Sequence, residues 1–163
     1  MKTLILMRHA KSTWKEKKAE DYDRPLSKRG RKDAPHMGEL MKENHLLPNL
    51  IIASPAVRTH ETTDLVIESM GYRGNVFLYG DLYMGEVDVY ISHLHQVADN
   101  VNTLLLIGHN PSLDCILQLL TGKVETLPSA AVAHIQLPID SWKDLNFEPV
   151  GTLVNLWKPK EID

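Results

Sequence analysis

The chain has 163 residues, 43% of them hydrophobic, and a formal net charge of −3. That length suits one good core and is too short for two typical domains, so a single domain over 1–163 is expected. A lone cysteine excludes an internal disulfide, no apolar run approaches the length of a membrane span, and the Met1 to Met7 stretch is too short for a signal peptide before it meets Arg8. Cytoplasmic residence follows as the default expectation.

In chain order, Leu4 to Met7 reads as an apolar strand that runs straight into Arg8-His9. Lys11 to Arg29 is a polar loop containing Pro25. Gly30 opens a helix to about His45, with Met37, Leu40 and Met41 at helical spacing and Pro48 beyond its end. A second short strand, Leu50 to Ala53, leads through Ser54-Pro55 into a helix that runs to about Met70 and stops at Gly71. Val76 to Tyr79 is a further short strand, and Val87 to Val97 an amphipathic helix with Tyr90, Ile91 and Leu94 on one side. A third apolar strand, Thr103 to Ile107, precedes Gly108-His109-Asn110-Pro111-Ser112 and a helix from Pro111 to Leu120, ended by Gly122. Ala131 to Leu137 and Gly151 to Trp157 read as strands, separated by Pro138 and a turn-rich stretch, that pair as edge strands.

One pattern occurs three times: an apolar strand followed at once by residues suited to phosphate. Short apolar runs leading into helices are the signature of a parallel α/β sheet, where ligands collect beyond the carboxyl ends of the strands. Three such ends bring Arg8, His9, Arg58 and His109 to one edge. Histidine is a neutral nucleophile near neutral pH, and arginine supplies a permanent fork of donors for phosphate oxygens. Ser54 before Pro55 and Asn110 before Pro111 are expected to cap two helices whose positive ends face the same edge. Gly108, lacking a Cβ, would let backbone approach the ligand.

These residues resemble the histidine phosphatase superfamily, the fold shared with phosphoglycerate mutases. The resemblance rests on Arg8-His9 with Ser12-Thr13-Trp14, on DRPLSKRGRKDA from Asp23 to Ala34, on Arg58 in SPAVRTHETT and on His109 in GHNPS. Its short length and RHAKS variant are most similar to the small SixA-type phosphohistidine phosphatases. The resemblance implies a three-layer α/β/α sandwich with a mostly parallel central sheet. It implies that His9 is the nucleophile that becomes phosphorylated, Arg8 and Arg58 the phosphate clamps, and His109 the second pocket histidine. Lys11, Ser12, Trp14 and Asn110 are expected to contact the substrate. Trp14 either lines the pocket mouth or simply packs.

Two departures bear on the reaction. Ala10 stands where the superfamily usually has glycine, while Lys11 and Lys15 stand where mutases often have Glu and Asn, which disfavours a mutase. Mutases also carry a general acid, a Glu two residues after a Leu; here Leu82 is followed by Tyr83 and Met84. Asp81, Glu86 and Asp88 lie nearby, with Glu86 the candidate acid on position and reach, although a turn role for Asp81 and helix-start roles for Glu86 and Asp88 suit them better. The lack of an obvious acid favours phosphoramidates or other activated substrates, because a protonated nitrogen leaves readily and an alkyl alcohol does not.

The remaining histidines show no zinc spacing, so no metal site and no cofactor is expected. His93 and His95, two apart on a helix, point to different faces. His36, His45 and His60 read as solvated, His134 as packed in a strand, and Cys115 as a small core residue. Trp142 and Trp157 read as packing residues. Residues 1–35 hold eleven Lys or Arg against five Asp or Glu, a local excess that either attracts an anionic substrate or forms a solvated face; Lys28 to Lys32 fit the second better. Neither aromatic interleaving nor a known module points to nucleic acid.

The expected activity is a metal-independent phosphatase working through phospho-His9, with protein phosphohistidine as first-choice substrate. The alternatives are a phosphatase of a small phosphorylated metabolite and a module that binds phosphorylated protein without turnover. Retention of Arg8, His9, Arg58 and His109 together argues against the last.

Overall fold

The computed structural model describes residues 1–14 and 20–159. Strands β1 (Lys2–Arg8), β2 (Leu50–Ala53), β3 (Asn75–Leu78), β4 (Thr103–Gly108), β5 (Val132–Leu137) and β6 (Thr152–Trp157) form one six-stranded sheet in the order β3-β2-β4-β1-β5-β6. Its central strands are apolar at consecutive positions because both faces are covered. Leu4 and Leu6 of β1, Ile52 of β2 and Leu104 and Leu106 of β4 pack on one side. Ile5, Met7, Ile51, Leu105 and Ile107 pack on the other.

Four helices supply the two covers: α1 (Lys28–Glu43), α2 (Val57–Met70), α3 (Val87–His95) and α4 (Ser112–Thr121). Met37 and Met41 of α1 join Val66 and Met70 of α2 against one face. Tyr90 and Leu94 of α3 join Leu113, Ile116 and Leu117 of α4 against the other. Burial of such side chains stabilises by roughly 1.5–3 kcal/mol each relative to exposure. The α/β layering of the expectation is therefore present.

The sheet, however, is mixed rather than mostly parallel. β3-β2, β2-β4 and β4-β1 pair parallel, but β1-β5 and β5-β6 pair antiparallel. The reason lies after α4, where residues 122–131 carry the chain back to the carboxyl end of β1, the Arg8 N–H donating to Ala131 O and the Ala130 N–H to Arg8 O. β5 must then run down the sheet. The stretch joining β5 to β6 holds only a three-residue turn of 3-10 helix, Trp142–Asp144, and antiparallel neighbours need no crossover helix. β5 is consequently interior, with β6 alone at that edge.

Other expectations shift locally. Helix α1 begins at Lys28, ahead of Gly30, because Ser27 caps it by accepting from the Gly30 N–H. Helix α2 begins at Val57 with Ala56 at its N-cap, so Ser54 is not its cap. Helix α4 begins at Ser112, one residue later than expected, although Asn110 Oδ1 does accept from the Asp114 N–H in its first turn. Gly71 and Gly122 close α2 and α4 in the left-handed conformation. Cys115 is exposed rather than in the core, since the buried stripe of α4 runs through Leu113, Ile116, Leu117 and Leu120. Lys15, Lys17 and Lys18, part of the N-terminal basic excess, lie outside the described residues.

No helix among the described residues is long and apolar enough to cross a membrane.

Candidate active site

The carboxyl ends of β1 and β4 are adjacent in register, Arg8 facing Gly108, so the next residues, His9 and His109, emerge side by side. Their ring centroids are 5.3 Å apart, tilted at 55°. Arg58 arrives from the first turn of α2, and its Nε–H donates to His9 Nε2 at 3.4 Å. Around them opens a pocket of about 450 Å³ lined also by Arg8, Lys11, Ser12, Trp14 and Asn110. The eight residues expected from the strand ends and their loops thus share one cavity.

The tautomer of His9 follows from its neighbours. Nδ1 lies 2.8 Å from Ala10 O, which can only accept, so the ring donates from Nδ1 and leaves the lone pair on Nε2. The Arg58 donation to Nε2 requires the same assignment. His9 is buried with 7% exposure, and burial, aided by His109, Arg58 and Arg8 and opposed by the Ala10 hydrogen bond, pushes its pKa down to about 3. A ring held neutral is a nucleophile at every physiological pH.

His109 is tied down from its far side. Its Nε2 lies 2.8 Å from Ser54 Oγ and 3.4 Å from Thr59 Oγ1, and burial followed by Arg58 lowers its pKa to about 4. The buried Ser54 is therefore a partner of His109 instead of a helix cap. Arg8 Nη1 donates to Leu127 O at 3.1 Å, while Arg8 Nε is a buried donor with no partner among the described residues. The Asn110 side chain donates to the same Leu127 carbonyl, so the returning segment after α4 forms one wall of the site.

A family model for the histidine phosphatase superfamily, branch 1, matches residues 4–77. An uncharacterized chloroplast protein of Arabidopsis thaliana is 31% identical over 150 residues, covering 86% of this chain and 69% of that protein. An uncharacterized protein of Mycobacterium tuberculosis is 32% identical over 128 residues, covering 78% and 77% respectively. The chain belongs to the histidine phosphatase superfamily. Among solved structures, the protein histidine phosphatase SixA complexed with tungstate superposes with a TM-score of 0.85 over 99% of both chains at 20% identity. At that identity the likeness establishes a SixA-like fold.

Within this histidine phosphatase fold the three carboxylates weighed as acids lie away from the pocket lining. Glu86 sits exposed at the N-cap of α3 and lines a separate groove with Asp88 and Cys115. Asp81 is paired instead with His93 Nε2 at 2.7 Å, while His95 turns to Leu145 O, so the two histidines do face different ways. A cleft of about 510 Å³ beside His93 holds none of the strand-end residues. Lys28, Arg31 and Lys32 are exposed and do not line the pocket, which fits the solvated reading; Lys11 and Arg24 are the pocket's further basic residues.

Gly108 also has a different purpose from the one expected. A Cβ there would come within 2.8 Å of the Tyr90 hydroxyl, so the missing side chain makes room for Tyr90 rather than for a ligand. Tyr90 accepts from the His109 N–H at 3.2 Å and donates to Leu82 O at 3.0 Å, anchoring the third strand end to α3.

Sequence reasoning missed the roles of Tyr90, Ser54, Thr59, Thr62, Asp21 and Tyr83, whereas Arg24 belongs to the basic N-terminal excess and does line the pocket. Thr59 and Thr62 were within reach, since Arg58, Thr59 and Thr62 fall on one face of a helix starting near Ser54. Thr62 Oγ1 accepts from the Ala10 N–H at 3.0 Å, steadying the residue beside His9. Trp14, 60% exposed, lies at the pocket mouth with the Arg24 guanidinium 3.4 Å above its ring. Of the two alternatives for Trp14, the exposed ring fits the pocket rim and not simple packing.

Proposed function

We propose that the chain is a phosphatase that transfers a phosphoryl group to His9 Nε2 and then to water, without a metal, with protein phosphohistidine as the first-choice substrate. The observation that carries the reading is the His9 lone pair on Nε2, held neutral by burial and aimed with Arg58 into an open anionic-ligand pocket. In the first step the bond from phosphorus to the leaving group breaks as the bond to Nε2 forms. In the second, water displaces Nε2, releasing phosphate and restoring the free ring.

Charge on the three equatorial oxygens needs fixed donors more than covalent help. Arg8, Arg58 and His109 supply them, and a phosphoryl oxygen would satisfy the buried Arg8 Nε–H, a group that costs about 1–3 kcal/mol when left unpaired. Ser12, Lys11, Trp14 and Asn110 surround the substrate at the rim. Met84, two residues after Leu82, lines the pocket where mutases carry their acid, and a thioether cannot donate a proton. Glu86 would have to reach from another groove. This supports a substrate whose leaving group departs without assistance, as a protonated imidazole does.

The test is an activity screen of EDTA-treated protein across phosphohistidine, phosphoramidate, sugar phosphates and aryl phosphates, joined to a brief incubation with a labelled phosphodonor. Turnover of phosphohistidine and phosphoramidate with acid-labile label on His9 is expected. Preference for sugar phosphates would point to a small metabolite as substrate. Unaltered turnover by His9→Ala would refute the nucleophile, and binding without turnover of any phosphate would make the chain a recognition module.

A further inference from the structure

The outer edge of the Arg58 guanidinium is held by one residue at two points. Nη1 donates to the Asp21 main-chain oxygen at 2.8 Å, and Nη2 donates to the Asp21 carboxylate Oδ2 at 3.2 Å. A planar fork fixed by two parallel contacts cannot rotate freely about its Nε–Cζ axis. Its Nε–H is thereby directed at His9 Nε2, and the second N–H on each Nη is left over from the Asp21 contacts.

Asp21 is itself held from two further sides. The Tyr83 hydroxyl donates to Oδ2 at 2.6 Å, and Arg24 Nη1 donates to Oδ1 at 3.1 Å. The Tyr83 hydrogen bond, with Arg24 and Arg58 behind it, draws the Asp21 pKa down to about 2. The carboxylate is therefore ionised, able to accept and unable to donate. The same network shapes the pocket, because the Tyr83 ring stands edge-on to His109 at 5.7 Å and Arg24 lies over Trp14.

We propose that Asp21 is a positioning residue that orients Arg58 toward the phosphoryl group and braces Tyr83 as the opposite wall of the pocket. The proposal rests on the phosphatase reading above. Asp21 does not touch the reacting atoms; it acts through Arg58. A competing idea, that the carboxylate merely occupies Arg58 until phosphate displaces it, predicts effects of the opposite sign. Removing a negative charge next to an anion site should by Coulomb attraction alone tighten anion binding. Weaker binding on removal of Asp21 must then come from lost positioning of the pocket groups it holds, Arg58 above all.

The experiment compares wild type with Asp21→Ala and Asp21→Asn, measuring kcat and KM on an aryl phosphate, inhibition by orthovanadate and calorimetric titration with inorganic phosphate. Asp21→Ala should lower kcat about tenfold or more, with a smaller change in KM, and weaken vanadate by a similar factor, as misplaced catalytic groups do. Asp21→Asn should fall between wild type and alanine, since its single carbonyl oxygen cannot serve Tyr83, Arg24 and Arg58 together. In an Arg58→Ala background, Asp21→Ala should cost much less in vanadate affinity than it does in wild type, because most of the effect runs through Arg58. Unchanged kcat, tighter vanadate, or a full additional loss in that background would overturn the proposal. Should Asp21→Ala fail to fold, Asp21→Asn and Tyr83→Phe carry the same comparison. If wild type turned over no phosphate at all, the phosphatase reading would fall, while the phosphate titration would still decide the role of Asp21.

Discussion

Arg58 Nε lies 3.4 Å from His9 Nε2, so the donor expected to stabilise an incoming phosphoryl group rests beforehand on the atom proposed to attack it. The proposed clamp and the proposed nucleophile are preorganised on each other, one from the first turn of α2 and one from the loop after β1. An oxyanion donor fixed in this way is worth about 10²–10³ in kcat. Arg58→Ala should therefore lose roughly 2 kcal/mol or more of transition-state stabilisation. Arg58→Lys should recover little, because an ammonium cannot keep both the Asp21 contacts and the one to His9. Steady-state rates on an aryl phosphate check this, and near-wild-type kcat in either variant would remove Arg58 from the reaction.

Met84 invites a gain of function. It lines the pocket and is 82% exposed, so Met84→Glu introduces no buried charge. A carboxylic acid at that position should raise kcat/KM for alkyl phosphates by about tenfold or more relative to phosphoramidate, within the range general acids contribute. Parallel assays of both substrates provide the ratio. An unchanged ratio would show that a carboxylate at residue 84 does not reach the leaving group.

Tyr90→Phe should separate stability from chemistry. The hydroxyl serves the His109 N–H and the Leu82 carbonyl, both from inside the protein. Its loss leaves the His109 N–H unpaired, at a cost of about 1–3 kcal/mol, while Leu82 O keeps the Gly85 N–H. A lower Tm with a measurable drop in kcat is expected, since the same hydroxyl fixes the backbone of a pocket histidine. Calorimetry and kinetics on one preparation test both effects.

Acid should begin to destabilise the fold through its two buried histidines. His9 and His109 are held neutral, at about 3 and about 4, against 6.5 when unfolded. Both folded values are depressed, so the unfolded chain binds more protons, and stability present above pH 6.5 is lost as pH falls toward 4. At pH 5 each histidine contributes up to about 2 kcal/mol of that loss. Asp21 adds a smaller decline only below its ordinary 3.8. Urea unfolding midpoints at pH 7.5 and pH 5 measure the difference. Saturating phosphate should raise both midpoints by linkage. Equal midpoints without phosphate would mean that the two rings are not buried neutral.

How much of this was legible depended on the range of the interactions. The strands, the helices and the four residues Arg8, His9, Arg58 and His109 could be read because each is announced by an apolar run a few residues away. The antiparallel strands β5 and β6 were visible as strands but not in their direction, which the return of residues 122–131 to Arg8 imposes. Ser54 looked like a cap because serine before proline usually is one. Its partner proved to be His109, 55 positions along the chain. Cys115 looked apolar by type, but the phase of α4 turned it outward.

The sequence by itself determined the family, the layering and the identity of the quartet that meets in the pocket, because strands that share a parallel sheet must end at one edge. The tertiary structure alone decided which atoms of that quartet are free to act. Asp21 meets Arg58 from 37 positions away and Tyr83 from 62, contacts that no local pattern encodes. They exist because two loops and a helix end converge once the core has packed, and there the charge and hydrogen-bond requirements of buried groups select their partners.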